Sequence, residues 1–293
     1  MMKTVALCPN PKRDVGFRYT AEAREILERL GFSCILTFPF ETELTGEELG
    51  LPLLPLEAAV RQADLLISLG GDGTILRVAP DAARESCPIL AVNVGHLGFI
   101  CDLEMDELPL LEKLGEEPWK IEHRMMLEVS VRREQREVYR GLALNEAVIN
   151  KGAVSRVVNL GTRINGEHMF DLRGDGLIIA TATGSTGYSR SAGGPVLSPG
   201  IRGIILTTLC AMNLSVGSWV LQEEDVISVE ALEKGYVSGF LFVDGGRAFS
   251  LRRGDLIEIR RSGYETQLVR LKNRGFFNEY DRKMGIGGIR NEK

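Results

Sequence analysis

Three glycines and one aspartate occur within residues 70–74, which read Gly-Gly-Asp-Gly-Thr. They follow residues 65–69, an apolar run typical of a strand buried on both faces, and precede a helical pattern. Glycine lets the backbone turn sharply and brings its N–H groups close to an anion. A carboxylate beside phosphate is repulsive unless it holds Mg²⁺ or accepts a proton from an attacking hydroxyl. The pattern favours a phosphate-handling loop, and a tight turn with an idle Asp72 is the alternative.

Two commoner nucleotide motifs do not occur in the chain. Residues 70–74 lack the third glycine of a dinucleotide G-x-G-x-x-G fingerprint, and no Gly-Lys-Ser/Thr of a P-loop occurs anywhere. His96, His123 and His168 lie too far apart for a local metal motif, and no Ser/His/Asp triad follows from spacing. We therefore expect any Mg²⁺ to be held through phosphates, with Asp72 as the one candidate protein ligand.

Length and charge limit the classes of protein. A chain of 293 residues exceeds the usual size of one domain, so we expect two. The net charge is −5 and no basic run is long enough to follow a nucleic-acid backbone, which argues against nucleic acid as a partner. No apolar window reaches the length of a membrane span, and five scattered cysteines without a C-x-x-C pair predict structural thiols. We expect a cytoplasmic protein without membrane contact.

The first 120 residues alternate between strand and helix patterns. Strand patterns cover residues 4–8, 33–38, 65–69 and 89–94, and helix patterns cover residues 20–30, 56–62 and 75–85. Pro80 falls inside the last of these, where we expect a kink or a helix boundary. Such alternation predicts a Rossmann-like α/β domain, a parallel sheet with helices on both faces that binds ligands at the carboxyl edge of its strands.

After residue 120 the pattern changes to short β-type runs separated by glycine and asparagine. Their spacing predicts a mainly antiparallel β-sandwich domain over residues 121–265. Residues 276–284 have a helical pattern again, in a segment too short to be a domain of its own. We predict that residues 266–293 pack back onto the first domain, residues 1–120.

Polar residues in the second half could contact a nucleotide. Asn145 and Glu146 offer an amide for an adenine edge and a carboxylate for a ribose diol, or form a turn with a capping side chain. The guanidinium of Arg173 can engage two phosphate oxygens, or remain a solvated loop charge. Residues 183–189 are rich in hydroxyls and glycines, and Tyr188 offers a flat face for a base, although a polar β-turn fits equally well.

Several blocks of the chain resemble known families. Residues 69–76 resemble the motif shared by NAD kinases, diacylglycerol-type lipid kinases and 6-phosphofructokinases. Residues 93–100 look like the N-x-G-x-L-G-F-L stretch of NAD kinases, and further stretches similar to that family lie at residues 124–127, 144–149, 173–195 and 243–246. The blocks stand in family order and cover most of residues 65–250, so together they are far more specific than any single motif.

The resemblance implies phosphorylation of the adenosine-ribose 2′-hydroxyl of NAD to give NADP. ATP or polyphosphate is the implied donor, Mg²⁺ or another divalent cation the implied cofactor, and a homodimer or homotetramer the implied assembly. Asp72 is the implied catalytic residue, as general base, metal ligand or both. The implied donor-phosphate residues are Gly70, Gly71, Gly73 and Thr74. The implied NAD-binding residues are Asp72, Gly73, Phe99, Asn145, Glu146, Arg173, Asp175, Thr183, Thr186, Gly187, Tyr188 and Ser191.

The chain departs from the NAD kinase pattern in places. Residues 181–184 lack the proline of the common T-P-T-G, Gly187 replaces a frequent alanine, and residues 210–217 lack a Pro-His and an arginine found in many members. None of these removes a central position. Two alternative functions stay open: a diacylglycerol-type lipid kinase, which shares the loop at residues 70–74, and a catalytically silent NAD(P)-binding regulator.

Overall fold

The computed structural model describes residues 3–45, 47–95, 98–116, 118–152, 157–212, 217–232, 239–273 and 275–284. The chain divides into two compact units. The first, which we call the α/β unit, consists of Met1–His123 and Thr266–Lys293, and the second, the β unit, consists of Arg124–Glu265.

The described part of the chain contains seventeen strands and five α-helices. The strands are β1 (Thr4–Pro9), β2 (Ser33–Leu36), β3 (Leu65–Gly70), β4 (Ile89–Asn93), β5 (Leu103–Glu104), β6 (Ile121–Arg133), β7 (Arg136–Ala143), β8 (Glu146–Asn150), β9 (Val158–Ile164), β10 (Glu167–Gly174), β11 (Gly176–Ala180), β12 (Gly203–Leu209), β13 (Trp219–Gln222), β14 (Ile227–Ala231), β15 (Gly239–Val243), β16 (Phe249–Leu251) and β17 (Leu256–Val269). The α-helices are α1 (Arg18–Arg29), α2 (Leu56–Gln62), α3 (Asp72–Arg84), α4 (Tyr188–Ser191) and α5 (Phe276–Met284).

The α/β unit is built on a parallel sheet with the strand order β5-β4-β3-β1-β2. Every residue of β3 and β4 is buried, which explains why both read as continuous apolar runs. Helix α1 covers the sheet with Ala23, Ile26 and Leu27, which recur at helical spacing on one face. Because the strands are parallel, their carboxyl ends meet at one edge, where β1 runs into Asn10 and β3 into Gly71.

The β unit contains two antiparallel sheets. One has the order β13-β12-β11-β8-β15-β16, and the other contains β10, β9, β14 and the first part of β17, with β6 and β7 beyond. Alternate residues of both sheets point inward and form one apolar core that includes Val129, Ile149, Ile179, Val229 and Leu241. The predicted fold class, α/β followed by antiparallel β, is confirmed.

Several predicted elements were wrong in extent. Helix α3 begins at Asp72 instead of residue 75, because Gly71 is extended and leaves the next residue free to start the first turn. Pro80 lies inside this helix, which continues to Arg84, so it does not mark a boundary. Strands β7 and β10 were not predicted, since their exposed charged residues hide the apolar alternation.

Candidate functional site

The glycine-rich loop joins the buried strand β3 to helix α3. β3 ends at Gly70, Gly71 is extended (φ −134°, ψ −172°), and the helix starts at Asp72. The first four N–H groups of a helix lack partners within it, and the helix dipole adds partial positive charge there. The backbone around Gly71 and Gly73 therefore has the arrangement that binds a phosphate at a helix N-terminus.

Thr74 holds this loop together from the inside. Its side chain is buried, and its hydroxyl accepts a hydrogen bond from Asn10 Nδ2 at 3.1 Å. A Cβ on Gly70 would clash with the Thr74 side chain, so only glycine fits at that position. The structure thus gives Thr74 an internal bond to the end of β1, and a direct contact between Thr74 and donor phosphates stays a prediction.

The Asp72 carboxylate is held by backbone donors from the segment after β4. Oδ2 accepts the N–H of Phe99 at 2.7 Å, and Oδ1 accepts the N–H of Ile100 at 3.0 Å. Burial raises the pKa of Asp72, although these two N–H groups and the charge of Lys283 oppose the rise. Oδ1 also accepts a hydrogen bond from the Cys101 thiol at 3.8 Å, so Oδ2 is the oxygen that keeps a lone pair. The fixed carboxylate, with raised basicity, is thus available to accept a proton at Oδ2.

Two residues of α5 contact Gly98 and Phe99, in the segment that holds this carboxylate within the same unit. Lys283 Nζ donates to the Gly98 carbonyl and lies 5.6 Å from the centre of the Phe99 ring. The Tyr280 ring packs against Phe99 with centroids 6.0 Å apart. Phe99, predicted to pack against NAD, is half-buried and has its ring supported by this helix. No local pattern in the sequence indicated Lys283, because its neighbours lie almost two hundred positions away in the chain, with a separation of 185.

Gly98 leaves room for the Asp72 carboxylate. A Cβ at residue 98 would lie 2.9 Å from Asp72 Oδ1 and 3.1 Å from Cys101 Sγ. We predict that Gly98→Ala lowers kcat about a hundredfold, the loss typical of a catalytic group displaced by about 1 Å. Steady-state kinetics with thermal melting measures this. Gly200→Ala, where a Cβ has open space, is the matched control, and full activity of Gly98→Ala would contradict the prediction.

In the β unit, Asp244 fixes the turn that carries the predicted acceptor residues. Its carboxylate accepts the N–H groups of Leu144 at 2.6 Å, of Asn145 at 2.9 Å and of Glu146 at 2.9 Å. Asp244 follows β15 with φ +47°, a conformation that aims its side chain back at the turn before β8. The sequence placed Asp244 in a matching block without assigning it a role. The structure makes it the residue that positions Asn145 and Glu146.

Asn145 and Glu146 each carry a buried oxygen that has no hydrogen-bond partner among the described residues. These atoms are Asn145 Oδ1 and Glu146 Oε2. Buried acceptors are normally satisfied, and an unsatisfied pair of this kind marks a place where a ligand supplies the donors. Hydroxyl and amino groups are the donors that match them.

The turn at residues 181–187 packs against Asn145 and Glu146. Thr181 Oγ1 donates to the Leu144 carbonyl at 2.6 Å and accepts the N–H of Gly184 at 3.1 Å. A Cβ on Gly184 would clash with the Asn145 backbone. A Cβ on Gly187 would lie 3.3 Å from Glu146 Oε2, so the glycine at 187 keeps the space beside that carboxyl open.

The hydroxyl residues of this turn are placed differently from one another. Thr183 is buried, and its hydroxyl accepts a hydrogen bond from Arg124 Nη1 at 3.1 Å. Thr186 Oγ1 donates to the Thr183 carbonyl at 3.2 Å. Tyr188 and Ser191 lie on the short helix α4 with their side chains exposed. The structure therefore assembles residues 145, 146, 183, 186 and 187 into one cluster with Asp244.

Asp175 and Arg173 lie apart from that cluster. In the register of β8 and β11, Gly176 pairs with Asn150 while Ala180 pairs with Glu146. Asp175 precedes Gly176, so five strand positions, about 17 Å, separate Asp175 from Glu146 along the sheet. Asp175 Oδ1 forms an ion pair with Lys151 Nζ at 2.8 Å. The contact of Asp175 and Arg173 with NAD therefore stays a prediction.

Two buried carboxyls make the cluster sensitive to pH. Burial, aided by Asp244, raises the pKa of Glu146 to about 8, and burial raises the pKa of Asp244 to about 6. An acid with a raised pKa in the folded state stabilises the fold below its ordinary pKa. That contribution is lost as pH rises from 4.5 through 8 for Glu146, and from 3.8 through 6 for Asp244.

We predict that Glu146→Gln makes the unliganded protein more stable than wild type at pH 9 but not at pH 4.5. The gain should be a few kcal/mol, because each pKa unit corresponds to about 1.4 kcal/mol. Urea unfolding at the two pH values measures it. The exposed Glu224→Gln is the matched control and should follow wild type, and equal pH dependence of Glu146→Gln and wild type would disprove the raised pKa.

Among the described residues, neither unit shows a metal-binding cluster of its own. Within the described ranges, no three His, Cys, Asp or Glu side chains converge as ligands. In the same part of the chain, no helix is both long and apolar enough to cross a membrane. His96, Leu97 and half of the block at residues 210–217, namely residues 213–216, lie outside the described residues.

Comparison with known proteins identifies the family. Residues 144–271 match the model of the ATP-NAD kinase C-terminal domain, and residues 55–114 match that of the N-terminal domain. The NAD kinase of Natranaerobius thermophilus is 34% identical over 98% of this chain and 99% of its own length. The chain belongs to the NAD kinase family. The NAD kinase of Caldanaerobacter subterraneus is 38% identical, covering 94% of this chain and 97% of its own.

Two solved structures of the NAD kinase family have the same fold. Yeast NADH kinase complexed with NADH superposes with a TM-score of 0.89 and 25% identity, covering 100% of this chain and 90% of that one. The NAD kinase from Archaeoglobus fulgidus in complex with ATP has a TM-score of 0.75 and 27% identity, covering 97% and 100%. Both the loop at residues 70–74 and the cluster around Glu146 are therefore parts of an NAD kinase.

Proposed function

We propose that this NAD kinase transfers the γ-phosphoryl group of ATP to the 2′-hydroxyl of the adenosine ribose of NAD, giving NADP and ADP. The observation that carries the proposal is the Asp72 carboxylate, fixed by the N–H groups of Phe99 and Ile100 at the start of helix α3. It combines a proton acceptor with an anion-binding helix N-terminus in the space of a few residues.

In the proposed reaction, the 2′-oxygen forms a bond to the γ-phosphorus while the bond from the γ-phosphorus to the β,γ-bridging oxygen breaks. The proton of the hydroxyl passes to a carboxylate oxygen of Asp72. The backbone N–H groups near Gly71 and Gly73 steady the donor phosphates. Because phosphoryl transfer needs little covalent help from the protein, positioning and charge neutralisation supply most of the catalysis.

The acceptor is held by the β unit in this proposal. Glu146 and Asn145 accept hydrogen bonds from hydroxyl and amino groups of NAD through the two oxygens that lack protein partners. Thr183, Thr186 and Gly187 form the adjacent wall. A diacylglycerol offers few donors to such a pair of buried acceptors, so the cluster favours a dinucleotide over a lipid.

A divalent cation fits the residues present. Mg²⁺ is commonly held by one or two carboxylates together with substrate phosphates, and Oδ2 of Asp72 keeps one lone pair beyond its bond to the Phe99 N–H. When bound, such a cation neutralises charge on the transferring phosphoryl group. Asp72 with the donor phosphates would hold it.

We propose that a second copy of the chain contributes to the assembly, as a homodimer or homotetramer. Among the described residues β13 is an edge strand, and it exposes Trp219 by 49% and Val220 by 53%, although large apolar side chains on a sheet edge are normally covered. The offset of about 17 Å between Asp175 and Glu146 also leaves Asp175 available to a neighbouring subunit. We expect this reaction in the cytoplasm, because all five cysteines are free thiols.

The test is to offer the purified protein NAD, Mg²⁺ and ATP, and to measure NADP with an NADP-specific dehydrogenase. Polyphosphate replaces ATP in a second assay and diacylglycerol replaces NAD in a third. NADP formation from NAD supports the proposal. Phosphorylation of diacylglycerol in preference to NAD, or NAD binding with no turnover at any divalent cation concentration, would overturn it.

A further inference from the structure

Helix α5 contributes a buried lysine to the α/β unit. The side chain of Lys283 is 6% exposed, although lysine is almost never buried unless it is paired. Its ammonium group donates to the Gly98 carbonyl, and the carboxylate of Glu279, one turn earlier on the helix, lies 3.8 Å away. The proposed reaction gives this cation no role. Because burying a charge costs free energy, the groups that Lys283 contacts should explain why it is there.

A single peptide group connects Lys283 to the Asp72 carboxylate. The Gly98 carbonyl and the Phe99 N–H belong to the same planar peptide bond, and they point in opposite directions from it. Lys283 donates to the carbonyl, and the N–H donates to Asp72 Oδ2 at 2.7 Å. The peptide is therefore a rigid link, with the cation bound at its negative end and the carboxylate at its positive end.

Hydrogen bonds that are joined through a peptide group reinforce one another. A cation on the carbonyl oxygen polarises the peptide and strengthens its N–H as a donor. Hydrogen bonds to charged groups are shorter and about twice as strong as those between neutral groups, and here both outer groups are charged. The Phe99 N–H bonds to Oδ2, the oxygen that keeps a lone pair, so this bond sets the direction in which Asp72 presents that lone pair.

Other contacts hold the same segment against the C-terminal part of the chain. The Tyr280 ring packs against Phe99 with centroids 6.0 Å apart. Arg270, which follows β17, donates to the Ile100 carbonyl at 2.9 Å and pairs with Glu122 Oε2 at 2.6 Å. These contacts fix the segment as a whole, whereas the lysine of α5 bonds to the peptide that donates to Oδ2.

We propose that Lys283 is a positioning residue for phosphoryl transfer: it fixes the Phe99 N–H and, through it, the orientation of the Asp72 carboxylate. The proposal rests on the proposed function, since it concerns the same carboxylate. Lys283 acts through the peptide and does not touch the reacting atoms. The glycine-rich loop and the last described helix, at opposite ends of the chain, thus form one functional arrangement within the α/β unit.

The first test removes the charge and the donor while it keeps the length of the side chain. Lys283→Met should lower kcat about tenfold or more, because small displacements of a catalytic group have effects of this size. The KM values for ATP and NAD should change much less. Lys283→Arg should recover most of the loss, since a guanidinium can donate to the same carbonyl.

Arg282→Met is the matched control. Arg282 is the neighbouring cation on α5, and it pairs with Glu104 and Glu279 instead of the Gly98 carbonyl. It should keep the wild-type kcat. Unchanged kcat in Lys283→Met would overturn the proposal. An equal loss of kcat in the two methionine variants would also overturn it, because the packing of α5 alone would then explain the effect.

A double-mutant cycle shows whether Lys283 acts through Asp72. Residues that act as one unit have non-additive effects, so the second substitution adds little once the first is made. In an Asp72→Asn background, Lys283→Met should change kcat by less than about twofold, which is within the usual error of additivity. Full additivity of the two losses would overturn the proposal, because the lysine would then act elsewhere.

The amide proton of Phe99 provides a readout that needs no activity. In unliganded protein with isotope-labelled phenylalanine, its resonance is identified with Phe99→Tyr and should lie downfield, because the N–H bonds to a carboxylate. Lys283→Met and Asp72→Asn should both move it upfield, and Arg282→Met should leave it in place. An unmoved resonance in Lys283→Met would overturn the proposal even if Asp72→Asn abolished NADP formation. If Asp72→Asn kept its activity while the resonance moved in Lys283→Met, the proposed function would fail and the link from Lys283 to Asp72 would stand.

Discussion

Asparagine in place of Asp72 should lower kcat for NADP formation by about a thousandfold, within the range expected for loss of a general base. The amide has the shape of the carboxylate, and its oxygen can still accept one of the N–H groups of Phe99 and Ile100. It cannot take the proton of the 2′-hydroxyl, and it binds a divalent cation more weakly. Since Asn145 and Glu146 lie in the other unit, the Kd for NAD should change little.

The comparison needs a control on the same helix. Asp81→Asn alters an aspartate of α3 that pairs with Arg84 near its far end, and it should retain wild-type kcat. Rapid-quench kinetics gives the chemical step, and titration calorimetry gives NAD binding. If Asp72→Asn retained a kcat close to that of wild type, Asp72 would be neither base nor metal ligand. A pH profile that loses its acidic limb in the variant would identify the carboxylate as the base.

Asparagine in place of Asp244 should raise the KM for NAD about tenfold or more, with a smaller effect on kcat. The carboxylate satisfies three buried N–H groups, whereas an amide turns its NH₂ toward at least one of them. Leaving one buried donor without an acceptor costs about 1–3 kcal/mol. The turn that carries Asn145 and Glu146 would then lose its position, and the thermal midpoint should fall by several degrees.

Asp225→Asn is the matched control for this effect. Asp225 accepts the N–H of Gln222 and an amide of Asn165 in an exposed turn of the same unit. It should leave the KM for NAD unchanged. If Asp244→Asn lowered the thermal midpoint without affecting the KM, Asp244 would support the fold but not the position of the acceptor residues.

The α/β unit was predictable in large part because its signals are local. The apolar runs of β3 and β4 are buried on both faces, so composition alone indicates them. Strands β7 and β10 escaped prediction because they are largely exposed and charged, and their pairing partners are set by the sheet. The start of α3 was misjudged by three residues, since glycine and aspartate have low intrinsic helix propensity and are used there for capping and binding.

The residues of the candidate site likewise fall into those that local sequence patterns indicate and those that only long-range contacts reveal. Asp72 and the glycines beside it are adjacent in sequence, so their chemistry could be inferred from spacing. Asp244 and Lys283 could not be found in this manner: Asp244 acts on a turn 100 positions earlier, and Lys283 reaches Gly98 across 185 positions. Thr183, predicted to bind NAD, has its hydroxyl bonded to Arg124, a contact that no motif contains.

The amino-acid sequence by itself determined the glycine-rich turn before α3 and predicted its role in phosphate binding, because three glycines around Asp72 permit a backbone that few other residues allow. It also determined the family, through blocks spread along the chain in a fixed order. Only the tertiary structure decided which groups hold Asp72 and the turn that carries Glu146. Those features depend on which strand ends meet at one sheet edge, and that juxtaposition arises from packing between residues far apart in the chain.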